Sequence, residues 1–242
     1  AAYILVLSEN AVRLIEASSD LPALEVNVPN LPTDAATAGG KATNKDYSGV
    51  GHRHGSQGQN FHLTRYVRKI DAALRPILMG SDLPLILATS KPLETLFRSI
   101  SVIPALPNII VGNPDRLTES ELASAARPVL DAHYAEQIKE FHQLFDARTS
   151  QNRTTTDISD AARLATFGGI DRLMVDIDGV VDGFIDDETG EVTFAKEGDA
   201  DNYGIVDEIT GRALRSGAKV MAVRKADIPG GHDLAVIARY PI

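Results

Sequence analysis

The chain has 242 residues, 43% of them hydrophobic, and a formal net charge of −9, enough for a real apolar core in one large or two modest domains. It has no cysteine, which excludes disulfide staples and zinc–thiolate centres, and no window approaches about 18 uninterrupted apolar residues, which argues against a membrane helix. The acidic balance argues against wholesale coating of nucleic acid, so any RNA contact would have to be local.

Tyr3–Leu7 and Ala11–Ala17 read as two strands around the turn Ser8-Glu9-Asn10, a hairpin. Leu24–Val28 alternates with period two and gives a third strand, ended by Pro29. From Asn30 to Asn60 the chain is rich in Gly, Ala, Thr, Asn and Pro and loses periodicity; a loop of that length in a compact domain is usually functional or disordered. Helical spacing returns with Leu63, Val67, Ile70, Leu74 and Ile77 as one buried stripe. Leu85–Ala88 is a short buried strand, and a helix with Pro92 near its start buries Leu93, Leu96, Phe97 and Ile100. Thr118 and Glu121 form a capping box. The helix it opens runs through Tyr134, Ile138, Phe141, Leu144 and Phe145, with a kink or break expected at Pro128. The polar run 147–156 then interrupts the pattern, and composition alone puts a domain boundary there.

Helix and strand alternate again beyond it. Asp157 caps a helix through Ala161, Leu164 and Ala165 that Gly168-Gly169 ends. Leu173–Ile177 is a strand, Phe184-Ile185 and Glu191–Phe194 flank a turn-rich loop, and Ile205, Ile209, Ala213 and Leu214 mark a helix stopped by Gly217. Val220–Val223 and Leu234–Tyr240 are further strands. The pattern is that of a small three-layer α/β or α+β domain.

The stretch Gly51-His52-Arg53-His54-Gly55-Ser56-Gln57-Gly58-Gln59-Asn60-Phe61-His62 stands apart. It reads as a glycine- and glutamine-rich loop feeding a basic helix, Leu63–Ile70. Between His52 and Lys69 there is no Asp or Glu, while Arg53, Arg65, Arg68, Lys69 and three of the six histidines fall there. A donor-rich loop backed by positive charge suits a polyanion such as a phosphate backbone. His52, His54 and His62 are also weak candidates for a metal, although no carboxylate lies nearby in sequence.

Other chemistries find less support. Asp176-Ile177-Asp178-Gly179-Val180 after an apolar strand has the form of an aspartyl phosphatase nucleophile, but the chain that follows is short and shows no clear lysine and paired-aspartate elements at the expected later spacing. A calcium loop starting at Asp176 would need an oxygen ligand where Val180 stands. A strand ending in a solvated acidic turn is the simpler reading. There is no nucleophile elbow, and Gly39-Gly40-Lys41 lacks the spacing and strand context of a phosphate loop. The first strand offers only Ser8 and Glu9 near its end, too little for a nuclease metal site.

Several stretches resemble a known superfamily. Tyr3–Leu14 is similar to the first hairpin of a release-factor middle domain, and Tyr66–Asp71 with Leu74–Leu78 to the helix after its catalytic loop. Gly112-Asn113-Pro114-Asp115 and Ile228–Tyr240 are typical of a bacterial branch, and Asp160–Val175 is similar to the start of the C-terminal domain. The whole chain thus resembles the middle and C-terminal domains of archaeo-eukaryotic class 1 peptide-chain release factors and their Pelota relatives, and more closely their bacterial branch. The resemblance implies an α/β (α+β) chain: residues 1–136 as an RNase H-like mixed-sheet domain carrying the Gly/Gln loop, and residues 137–242 as a three-layer domain like the ribosomal kink-turn-binding proteins. In release factors a Gly-Gly-Gln loop enters the peptidyl-transferase centre and its glutamine positions water against the peptidyl-tRNA ester, largely through its backbone amide. The counterparts here are Gly55-Ser56-Gln57, similar to the Gly-Ser-Gln of ribosome-rescue peptidyl-tRNA hydrolases, and Gly58-Gln59. Neither has two adjacent glycines before the glutamine.

Three readings follow. One is a peptidyl-tRNA hydrolase with Gln57 or Gln59 as catalytic candidate, Gly55 and Gly58 as loop glycines, and Arg53, Arg65, Arg68 and Lys69 holding RNA phosphate. Another is a non-catalytic ribosome- or RNA-binding rescue or hibernation factor using the same basic face. The third is a metal-binding stress protein built on His52, His54 and His62. The expected partners are a ribosome or tRNA and, through the C-terminal domain, a protein; no cofactor and no membrane are implied. The chain opens on Ala1-Ala2 and an apolar strand without a basic leader, so a cytoplasmic protein is expected. The missing initiator Met suggests a processed chain or a piece of a longer one, with a domain upstream.

Overall fold

The structure, a computed structural model, describes residues 1–18, 21–38, 56–112, 114–195 and 203–242, with the backbone alone at 56–60. It contains two compact units, Ala1–Tyr134 and Ala135–Ile242.

In the first unit, β1 (Ala2–Leu7) folds back on β2 (Val12–Ala17) through a turn in which Ser8 Oγ accepts from the amides of Asn10 at 3.1 Å and Ala11 at 3.0 Å. β2 pairs antiparallel with β3 (Leu24–Val26), while the other edge of β1 runs parallel to β4 (Leu85–Thr89), which carries a parallel β5 (Ile109–Ile110). The order is β3-β2-β1-β4-β5. Alternation along the strands sets the layers. Leu5, Leu7, Leu14, Leu85 and Leu87 pack with buried residues of α2 (Ser56–Leu78) and α3 (Leu93–Ile100). Ile4, Val6, Ile15, Ile86 and Ala88 pack with Leu122, Ala126 and Val129 of α4 (Glu119–Thr149).

The predicted capping box forms: the Thr118 amide donates to Glu121 Oε2 at 2.8 Å and the Glu121 amide to Thr118 Oγ1 at 3.3 Å. Pro128 does not break the helix, which continues to Thr149. A proline inside a helix costs about 3 kcal/mol; burial of Leu122, Ala126 and Val129 on either side offsets it. The expected irregular stretch from Asn30 to Asn60 is also shorter than composition suggested. A one-turn helix, α1 (Ala35–Ala38), sits within it, started by Asp34, whose carboxylate accepts from the Thr37 amide at 2.6 Å.

The second unit takes over the C-terminal half of α4. There Phe141, with Ile138, Leu144 and Phe145, covers Met174, Ala235 and Ile237 on one face of a sheet ordered β11 (Lys219–Val223), β7 (Ile170–Asp176), β12 (Leu234–Ala238), β6 (Thr154–Thr155). β11 is parallel to β7; the other pairs are antiparallel. The opposite face, with Leu173, Val175, Leu234 and Val236, packs on α5 (Ile158–Thr166) and α6 (Ile205–Arg215). A smaller antiparallel sheet joins β8 (Asp182–Ile185) to β9 (Val192–Phe194) on one side and β10 (Tyr203–Gly204) on the other. Asp157 caps α5 as expected, accepting from the Asp160 amide at 3.0 Å. The polar run 147–156 is no boundary: it ends α4, forms β6 and lies within the second unit. Both units are mixed α/β structures with helices on both faces of a mixed sheet, the fold class expected.

Candidate nucleic-acid interface

The helix α2 is anchored to its unit at three points. Tyr66 is fully buried and its hydroxyl donates to the Ser8 carbonyl at 2.9 Å, fastening the helix to the C-terminal end of β1. Burial pushes the Tyr66 phenol well above the ordinary tyrosine range, and the negative charges of Asp34 and Asp115 add to the effect. The Lys69 ammonium donates to the Ala38 carbonyl at 2.8 Å, satisfying an end group of α1. Asp71, only 2% exposed, accepts from Ser101 Oγ at 2.7 Å, the Val102 amide at 3.2 Å and Arg75 Nε at 2.8 Å, tying α2 to the segment after α3. These contacts and the stripe Leu63, Tyr66, Val67, Ile70, Leu74 fix which face of α2 meets solvent.

That outward face carries Phe61, His62, Arg65, Arg68 and Lys69, all exposed. No Asp or Glu occurs on α2 before the buried Asp71. Of the residues predicted to hold RNA phosphate, Arg65 and Arg68 therefore stand on one solvent-facing surface. Lys69 stands there too, with its ammonium engaged at Ala38. Arg53, and with it His52, His54 and Gly55, lies outside the described residues. Gln57, Gly58 and Gln59 lie in the first turns of α2, not in a loop. The reason is local: glutamine is a good helix former, and one glycine costs only about 1 kcal/mol against alanine, so Gly58 does not stop a helix anchored downstream. His62 is exposed, and among the described residues no group of three or more His, Asp or Glu could hold a metal ion.

The acidic turn after β7 is what the simpler reading expected: the Asp178 amide donates to Asp176 Oδ1 at 3.2 Å, and Asp178 is exposed. Sequence reasoning missed Arg212, whose side chain is 8% exposed and which donates to Glu208 at 2.7 Å, Asp187 at 2.6 Å, Thr166 Oγ1 at 2.8 Å and the carbonyls of Ile185 and Asp186. With Arg215 and Ser216 it lines an open depression of about 410 Å³. Arg212's donors are spent within the unit, which makes it a clamp joining α5, α6 and the β8–β9 turn. No sequence pattern marks it beyond an i, i+4 acid–base pair with Glu208. Among the described residues no helix is long and apolar enough to cross a membrane.

With this geometry in place, two solved structures prove similar over the whole chain. One is ribosome-bound archaeal Pelota with ABCE1, at 12% identity and a TM-score of 0.51. The other is Saccharomyces cerevisiae Dom34, a translation termination-like factor involved in RNA quality control that interacts with Hbs1, at 13% identity and a TM-score of 0.50. All of this chain is covered in both; it spans 62% and 63% of those chains. At these identities the likeness is one of fold. No curated protein matches by sequence. The sequence model of bacterial archaeo-eukaryotic release factor family 11 matches residues 1–136, more than half of the chain. The chain belongs to that family.

Proposed function

We propose that the protein is a ribosome- or tRNA-associated factor that hydrolyses peptidyl-tRNA on stalled ribosomes, docking through the outward face of α2. The observation that carries the reading is that face: a rigidly seated helix with exposed Arg65 and Arg68 and no acid before Asp71, in a chain of net charge −9. Arg65 and Arg68 hold RNA phosphate there.

The chemistry falls to the start of the same helix. The first amides of a helix have no partner within it, and their dipole favours negative charge. With the helix starting at Ser56, the Gln57 amide lies in its first turn, two residues ahead of Gln59. Gln57 is therefore the stronger candidate. In this proposal its amide steadies the oxyanion as water adds to the ester carbonyl. The bond to the ribose oxygen then breaks, that oxygen takes a proton, and the peptide leaves as a carboxylic acid.

A second reading is favoured by the helical setting of Gln57 and Gln59: a non-catalytic ribosome-binding factor that uses the same basic face. Release of labelled peptide from stalled ribosome–peptidyl-tRNA complexes separates the two. The hydrolase reading expects release by the natural protein and a loss of about a hundredfold in Gln57→Pro, which removes that amide in a first turn that tolerates proline, with ribosome binding intact. Binding without release in the natural protein supports the second reading.

A further inference from the structure

Phe61 is 67% exposed, although it belongs to a helix with a fully buried stripe. One exposed phenylalanine is ordinary; its place on the helix is not. At 100° per residue, positions 61, 65 and 68 lie within about 60° of one another, and residue 68 stands about 10 Å along the axis from residue 61. They sit directly opposite the buried positions 63, 66, 67, 70 and 74. The outermost ridge of α2 is therefore an aromatic ring followed by two guanidinium groups, one and two turns on. No Asp or Glu stands on α2 before Asp71, so the ridge favours an anionic partner, and one that offers a flat apolar surface beside its charge. A base with its flanking phosphates meets both demands: the base stacks on the ring and the arginines take the phosphates. A closed duplex does not, because its bases are stacked on one another; side chains stack on bases that are splayed out.

We infer that the ridge Phe61, Arg65, Arg68 is a single-stranded RNA site, with Phe61 as the stacking platform. This deepens the proposed function and rests on its claim that α2 meets RNA, but it narrows the ligand to unpaired nucleotides and adds a residue that charge alone does not select. Lys69, occupied at Ala38, is left to positioning.

The test is fluorescence anisotropy of the full chain with a labelled single-stranded RNA of about ten nucleotides, the same strand in a duplex, and an abasic version of the strand. The expected result is tighter binding of the single strand than of either control. Phe61→Leu lowers single-strand affinity between about five- and a hundredfold, with the slope against salt unchanged. Arg68→Ala lowers affinity for all three probes and reduces that slope by about 0.7 on single strands. Equal binding of single strand and duplex, no effect of Phe61→Leu, or no RNA binding at all would overturn the inference. Ribosome pelleting of the same proteins separates the two failures. Arginine-dependent pelleting without a Phe61 effect on the oligonucleotide removes the platform and leaves the proposed function. A Phe61 effect without pelleting removes the proposed function and leaves the platform.

Discussion

Replacing Tyr66 by phenylalanine tests whether α2 is seated on β1 as described. The substitution keeps the ring in its fully buried position and removes the hydroxyl that donates to the Ser8 carbonyl at 2.9 Å. Near pH 8 the lost bond and the acceptor left behind should cost about 1–2 kcal/mol. The pH dependence adds a sharper signature. The native phenol is held protonated well above its ordinary value of 10.0 by burial and by Asp34 and Asp115, whereas the unfolded tyrosine ionises from about pH 10. Because the native value is raised, the contribution is complete below about pH 10 and is lost as pH rises toward the native value. Wild type should thus lose about 1.4 kcal/mol per pH unit relative to Tyr66→Phe above pH 10, so the gap closes near ~pH 11. Urea unfolding followed by circular dichroism between ~pH 8 and ~pH 11 measures it. A gap that stays constant across that range would refute the argument.

Other predictions address the same scaffold. Arg212→Met removes the bonds that join Glu208, Thr166 and the carbonyls of Ile185 and Asp186, while Glu208 keeps Arg215 at 3.5 Å and the Ile185 carbonyl keeps the Tyr203 hydroxyl at 3.3 Å, so a cost of about 1–3 kcal/mol is expected; differential scanning calorimetry should show the loss in the second unit while the first keeps its transition. Gly183→Ala would set a methyl group 2.4 Å from the Thr193 carbonyl oxygen and 2.6 Å from Ile205 Cδ1, so a destabilisation of about 1–3 kcal/mol is expected in the same scan. Thr118→Ala removes the α4 capping box and should cost about 1 kcal/mol in urea unfolding. Bonds from the Thr118 amide and hydroxyl hold the Glu121 carboxyl below its ordinary 4.5, so the stability Glu121 adds is present above that pH and lost as pH falls through the lowered value. The Thr118→Ala variant should therefore show a shallower acid limb.

The strands and helices were legible where one face is buried. The alternation of Leu5 and Leu7 with Ile4 and Val6, and the stripe from Leu63 to Leu74, are direct records of a sheet sandwiched between helices. The Thr118–Glu121 box and the Asp157 cap were legible because their chemistry is local. Two-residue strands such as β5 and β6 were not, because pairing across the sheet makes them strands and no period can be read from two residues. The start of α2 was misread because the closely spaced glycines suggest a loop, while a downstream anchor lets the helix run back to Ser56. Of the proposed interface, the arginines were legible as an acid-free run. Tyr66, Asp71 and Lys69 were not assigned their anchoring roles, since their partners, Ser8, Ser101 and Ala38, lie 58, 30 and 31 positions away. Arg212 was hidden for the same reason.

The most direct test of the central claim is co-sedimentation of the protein with ribosomes across a salt series, comparing the natural chain with Arg65→Ala/Arg68→Ala. The prediction is pelleting at low salt that falls steeply as salt rises, and in the double variant weaker pelleting with a salt slope reduced by about 1.4–1.8. Absence of pelleting in the natural chain, or pelleting that the double variant leaves unchanged, would contradict it.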